Sequence, residues 1–174
     1  MRLSLLLALP FVLASAKHIT NLSETTWTLS NDLLNISVPA RLPSQAHLDL
    51  FAAGVIGDPY HDLNDFNLRW VVWQNWTYSS ALKLERSSDG NSSSSSSSTW
   101  LQFNGLDTFA DISLCGCHVA STNNQFRQWW FDVTGIVGEC EEEEVILEME
   151  FASAPVIANG IAGEEGAETW PYGV

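Results

Sequence analysis

Apolar and polar residues alternate over short stretches along most of the chain, and that two-residue period limits what it can fold into. Thr25 to Ser30 alternates through Trp27 and Leu29, and Leu34, Ile36 and Val38 share one face of the next stretch. The same reading places strands at 69–78, 80–85, 99–104, 107–114, 126–133 and 145–151, with turn-rich breaks such as Ser121-Thr122-Asn123-Asn124 between them. One segment departs from the pattern. After Pro43 and an N-cap at Ser44, the residues Leu48, Phe51, Ala52, Val55 and Ile56 fall at helical spacing, and Gly57 supplies the stop. Eight short strands and one short helix near the start predict an all-β fold, an antiparallel jelly-roll sandwich, and argue against a parallel α/β fold.

The first sixteen residues, MRLSLLLALPFVLASA, carry Arg2, an apolar run from Leu3 to Leu13 and the small-x-small site Ala14-Ser15-Ala16. That run is too short to span a bilayer, so residues 1–16 read as a cleaved signal peptide and the chain as a secreted, extracellular one. Residues 17–174 then form one domain of sufficient size for its own core. Sequons at Asn21, Asn35, Asn75 and Asn91 agree with a glycoprotein. With Arg2 removed, six of the 7 Lys and Arg remain against 21 Asp and Glu, a net charge of −15. Phosphate-bearing partners are repelled by such a surface, which excludes nucleic acid and anionic membranes and leaves neutral or cationic partners.

Three cysteines do not make a disulfide framework. Neighbours two apart on a strand rarely meet disulfide geometry, so the expected bridge joins Cys140 to either Cys115 or Cys117. Cys115-Gly116-Cys117-His118 lacks a second ligand pair and reads as a hairpin turn rather than a zinc site. No metal site is expected elsewhere: the acidic run Glu139 to Glu144 is an exposed turn without calcium-loop spacing. The serine-rich segment 87–99 cannot bury apolar surface and reads as a solvated loop between two strands.

The stretch RWVVWQNWTY, residues 69–78, places three tryptophans within seven positions. If it is extended, Trp70, Val72, Trp76 and Tyr78 share one face, and Val71, Trp73, Asn75 and Thr77 the other. A glycan on Asn75 requires the second face to be open, so Trp70 and Trp76 are assigned to the core. Trp73 is then either covered by a loop or another domain, which is the preferred reading, or an exposed contact residue. The loop GDPYHDLNDFN, residues 57–67, gathers Asp58, Asp62, Asp65, His61, Asn64 and Asn67. Paired carboxylates can act as acid and base, but Asx-turns explain the same composition. There is no G-x-S-x-G, HExxH or phosphate-cradling glycine loop.

The succession SQAHLDLFAAGVIGDPYHDLNDFNLRWVVWQNWTYSS, GLDTFADISLCG and NNQFRQWWFDVTG resembles the N-terminal domain of secreted fungal β-mannosidases of glycoside hydrolase family 2. The similarity covers roughly residues 20–151. It implies a galactose-binding-like sandwich that packs, in the complete enzyme, against immunoglobulin-like domains and a (β/α)₈ barrel. Such enzymes hydrolyse terminal, non-reducing β-D-mannose residues with retention, using two glutamates about 5 Å apart and no cofactor. Both glutamates sit on the barrel, so the resemblance implies no catalytic residue in this chain and an end at Val174 before the barrel begins. Asp58 and Asn64 are the candidate substrate contacts, because short polar groups fix sugar hydroxyls. Cys117 departs from the family, where a polar residue is expected. A freestanding carbohydrate-binding module that uses exposed aromatics is the alternative reading.

Overall fold

A computed structural model describes residues 18–83, 98–141 and 143–163. The leader, the sequon at Asn91 with nearly all of the serine-rich segment, and the closing WPYGV lie outside the described residues. Eight strands are described: β1 (Trp27–Asn31), β2 (Ile36–Ala40), β3 (Trp76–Lys83), β4 (Trp100–Phe103), β5 (Phe109–Leu114), β6 (Cys117–Asn123), β7 (Trp129–Asp132) and β8 (Glu144–Phe151). Six form one antiparallel sheet in the order β2-β1-β3-β8-β5-β6, and β4 pairs with β7 in a second layer.

The two-residue period builds the core directly. Leu29 lies opposite Tyr78, Tyr78 opposite Met149, and Met149 opposite Ile112, so one row of buried side chains crosses four strands. Leu101 from β4 joins the same cluster, with Phe103, Trp129 and Phe131 packed against it. Each fully buried aliphatic side chain in this row contributes about 1.5–3 kcal/mol relative to exposure. Gly105, between β4 and β5, has a packing role of its own: a Cβ there would come within 2.9 Å of the Gln125 carbonyl. At the sheet margins, β2 pairs only with β1 and carries Pro39, while β6 pairs only with β5.

The tryptophan stretch is not a continuous strand. Arg69–Trp73 forms a 3₁₀ turn, and β3 begins at Trp76 and runs through to Lys83, so two expected strands are one. The Trp76 indole donates to the Val71 carbonyl at 2.8 Å, which folds the turn back onto the strand and buries Val71 instead of Val72. Trp76 is in the core as expected. Trp70 is partly buried against it, with ring centroids 6.4 Å apart.

Three further expectations are corrected. The region after Cys115-Gly116 is strand β6, and it includes Ser121 to Asn123, which read as a turn. As an edge strand with mostly exposed side chains it has no apolar alternation to signal it. The helix α1 (Ala46–Ala52) starts after Gln45, stops before Gly57, and is rotated from the expected face. Asp49 and Leu50 are buried, whereas Leu48, Phe51 and Val55 are more than 40% exposed. Ser44 does not cap it but donates its hydroxyl to Asp49 Oδ1 at 3.0 Å. Nor is α1 alone: α2 (Asn64–Asn67), α3 (Thr134–Glu139) and α4 (Ala154–Ala162) are also present. The start of α4 had a signal in the sequence, since Ser153 accepts from Val156 N and Pro155 occupies the first turn.

Cys115 and Cys140 are disulfide-bonded with Cα atoms 6.2 Å apart, which resolves the pairing, and Cys117 is free and exposed. The bridge ties the β5–β6 turn, where Cys115 and Gly116 both have positive φ, to the end of α3.

Candidate functional site

The two sequence-derived contact residues lie in the loop between α1 and α2 (Asp58) and at the first residue of α2 (Asn64). Asp58 Oδ1 accepts from Tyr60 N at 2.9 Å, and the Asp58 carbonyl accepts from Asn64 Nδ2 at 2.8 Å and from His61 N at 3.1 Å. These bonds form an Asx-turn closed by an amide clamp, which rigidifies the loop without any ligand. A Cβ at Gly57 would approach Asn64 Nδ2 to 3.2 Å, so a side chain there would push on the amide of the clamp. Asn64 lines a cleft of about 230 Å³ together with His47, Leu48, Tyr60 and Asp65, while Asp58 lies outside its wall. His61 pairs with Asp62 at 3.0 Å on the exposed side of the loop.

Several large apolar side chains are exposed among the charged ones around this loop. Tyr60 is 86% exposed and Phe66 62%, with Leu48, Phe51, Val55 and Leu63 also open to solvent. Arg69 sits 4.1 Å above the Phe66 ring. Trp73 is about half exposed beside Val72, so no loop among the described residues covers it. Ser153 fastens α4 to this region by donating its hydroxyl to the Val72 carbonyl at 2.7 Å and its backbone N–H to Asn75 Oδ1 at 2.9 Å.

A second polar cluster lies on the outer face of β5 and β6, and its geometry is not catalytic. His118 Nε2 is 3.2 Å from Ser121 Oγ and 3.9 Å from Asp111 Oδ1, and the Ser121 hydroxyl donates to Asp111. Serine and aspartate thus meet the same ring nitrogen. A nucleophilic triad needs the acid on the opposite nitrogen and the hydroxyl donating to histidine. Among the described residues no group of three His, Cys, Asp or Glu is placed to hold a metal ion. Two exposed tryptophans that sequence reading passed over, Trp100 and Trp130, lie on the β4–β7 layer. The adjacent pair Trp129-Trp130 was the available signal, since on a strand one of the two must face outward.

The model of the glycosyl hydrolase 2 galactose-binding domain-like family matches residues 19–174. The chain belongs to that family. As a member of it, the chain is 49% identical over 159 residues to Beta-mannosidase A of Aspergillus aculeatus, covering 91% of this chain and 16% of that protein. It is 50% identical over 166 residues to Beta-mannosidase A of Aspergillus niger, covering 95% and 17%. Among solved structures, the β-D-mannosidase of Dictyoglomus thermophilum superposes with a TM-score of 0.67 at 28% identity, over 84% of this chain and 16% of that one. The exo-chitosanase of Amycolatopsis orientalis, at 18% identity and a TM-score of 0.57, covers 74% of this chain and 16% of that one, and shares the fold. This glycosyl hydrolase 2 domain therefore spans about 16% of the length of the β-mannosidases it matches.

Proposed function

We propose that this chain is the secreted N-terminal sandwich of a β-mannosidase, a retaining glycoside hydrolase that removes terminal, non-reducing β-D-mannose residues. The observation that carries the reading is 49% identity to a Beta-mannosidase A across 91% of the chain. The sandwich supports the catalytic unit and does not act itself: the acid/base and nucleophile glutamates belong to a barrel outside these residues, and no cofactor takes part. Neutral mannosides suit the formal charge of −14, which repels anionic partners.

The apolar surface around α1 and the 57–73 segment fits the role of a seat for the barrel and immunoglobulin-like domains. Large exposed apolar side chains gathered on one side of a domain, here interspersed with Asp58, Asp62 and Asp65, suit an interface. Trp73 belongs to this face and is covered in the complete enzyme. Asp58 and Asn64 serve as the sugar-contact residues, with the Asx-turn presenting them at the edge of that seat; support comes from Asn64 on the cleft wall. Asn21, Asn35 and Asn75, all exposed, carry N-linked glycans together with Asn91. Secretion accords with the leader, and among the described residues no helix is long and apolar enough to cross a membrane.

The test is hydrolysis of an aryl β-mannoside. Residues 17–174 expressed alone are expected to give no turnover, and the continuous open reading frame including any downstream barrel is expected to give it. Turnover by 17–174 alone, or an inactive continuous polypeptide with both glutamates present, overturns the reading.

A further inference from the structure

The β4–β7 layer has two faces with different demands. Its inner face is fully supplied: Leu101 is buried, Trp129 and Phe131 stack with centroids 6.2 Å apart, and Phe103 packs against Phe131 at 6.3 Å. Its outer face therefore needs no aromatic residue for stability. Yet it carries Trp100, 53% exposed, and Trp130, 51% exposed. Single exposed apolar side chains are ordinary, but two indoles on one face of a two-stranded ribbon are a concentration of costly surface.

The register specifies their arrangement. Trp100 lies opposite Asp132, and Gln102 opposite Trp130, so the two tryptophans are diagonal neighbours about 7–8 Å apart at the backbone. Between and beside them are side-chain amides held in place. Gln102 Nε2 and Gln128 Nε2 both donate to Asn104 Oδ1, at 3.3 and 3.2 Å. Each glutamine keeps its carbonyl oxygen, and Asn104 its amide hydrogens, for an outside partner. Asp132 is engaged with Thr134, whose backbone N–H it accepts at 3.0 Å.

Flat aromatic faces beside oriented amides are the chemistry that recognises a pyranose. The polarised C–H groups of the ring lie on the negative face of the indole, and the hydroxyls meet amide donors and acceptors. The dimensions favour a sugar over a protein. Two four-residue strands present a footprint of about 14 by 10 Å. That is far below the roughly 800 Å² per partner that a stable protein interface requires. The acidic chain and the Asp132 carboxylate on this face disfavour anionic glycans. We propose that the outer face of β4–β7 is a binding platform for neutral hexopyranose chains, with Trp100 and Trp130 as stacking residues and Gln102, Asn104 and Gln128 as hydroxyl partners. The platform is separate from the Asn64 cleft and does not depend on the mannosidase reading.

Affinity electrophoresis of the purified chain through gels containing soluble galactomannan or hydroxyethylcellulose tests it. Retardation in at least one polymer is expected, weakened roughly tenfold by Trp100→Ala or Trp130→Ala, abolished by the double substitution, and unaffected by Leu33→Ala in the exposed β1–β2 turn. A second measurement needs no variant: in limited tryptophan oxidation mapped by peptide mass, mannohexaose or cellohexaose is expected to protect Trp100 and Trp130 but not Trp73. Free migration in both polymers, retention that survives the double substitution, or equal oxidation with and without sugar overturns the proposal. Loss of aryl β-mannoside hydrolysis would bear on the function proposed above and leave these readouts untouched.

Discussion

Tyr78 and Asp49 show how much one buried polar contact governs here. The Tyr78 hydroxyl donates to Asp49 Oδ2 at 3.0 Å, and Asp49 Oδ1 accepts from Ser44 Oγ at 3.0 Å and from Arg41 N at 3.3 Å. A carboxylate 3% exposed thus clamps α1 to the sheet. Replacing Tyr78 by Phe leaves one of its oxygens without that donor, and a loss of about 1–3 kcal/mol is expected in urea unfolding. Burial, the Asp49 charge and the hydrogen bond to Asp49 together hold the Tyr78 phenol well above its ordinary value of 10. Above pH 10 the unfolded chain releases this proton and the folded one keeps it, so unfolding is favoured as pH rises. Stability from this group is intact below pH 10 and falls by up to about 1.4 kcal/mol per unit above it. Comparing alkaline melting curves of wild type and Tyr78→Phe isolates the contribution, which disappears in the variant. None of this was legible in the sequence: Asp49 and Tyr78 are 29 residues apart, and a helical wheel places Asp49 on the polar side.

Elements whose side chains alternate into the core were readable; those defined by pairing or capping were not. β1, β5 and β8 bury every second residue, and their positions were anticipated to within a few residues. β6 was missed because an edge strand takes its partner from β5 without contributing many apolar groups. The apolar positions of α1 misled for a physical reason. Leu48 and Phe51 share an exposed side of α1 that points away from this domain's core, and the helix ends at Ala52, so Val55 and the buried Ile56 lie beyond it. Asx-turns were one of two readings the composition of the 57–67 loop allowed, while the amide clamp from Asn64 and the outward Trp100 and Trp130 depend on how the chain folds back on itself. The disulfide operates at this scale as well. It closes a 25-residue separation between the β5–β6 turn and α3, so Cys140→Ser is expected to cost about 3 kcal/mol by the loop-entropy model. Differential scanning calorimetry would show the lowered midpoint, and Cys117→Ser is expected to leave it nearly unchanged.

For the molecule as a whole, the sequons divide the surface. Asn21 is tied to Glu24 and Ser23 in a local turn, Asn35 sits at the β1–β2 turn, and Asn75 keeps its Nδ2 for attachment while Oδ1 receives Ser153 N. Mass spectrometry before and after enzymatic deglycosylation is expected to find glycans at all three, and an unmodified Asn75 would contradict the outward orientation assigned to it. No sequon falls within the 46–73 segment that carries the exposed apolar residues, although Asn75 lies just beyond Trp73. At the margins of the large sheet, Pro39 deprives β2 of a backbone donor, and β6 presents His118 and Ser121 to water. Along these two margins of the large sheet a second copy finds a poor template for adding its own strand. Strand addition is thereby steered away from the six-stranded sheet, and among the described residues the open backbone edges that remain are those of the β4–β7 pair.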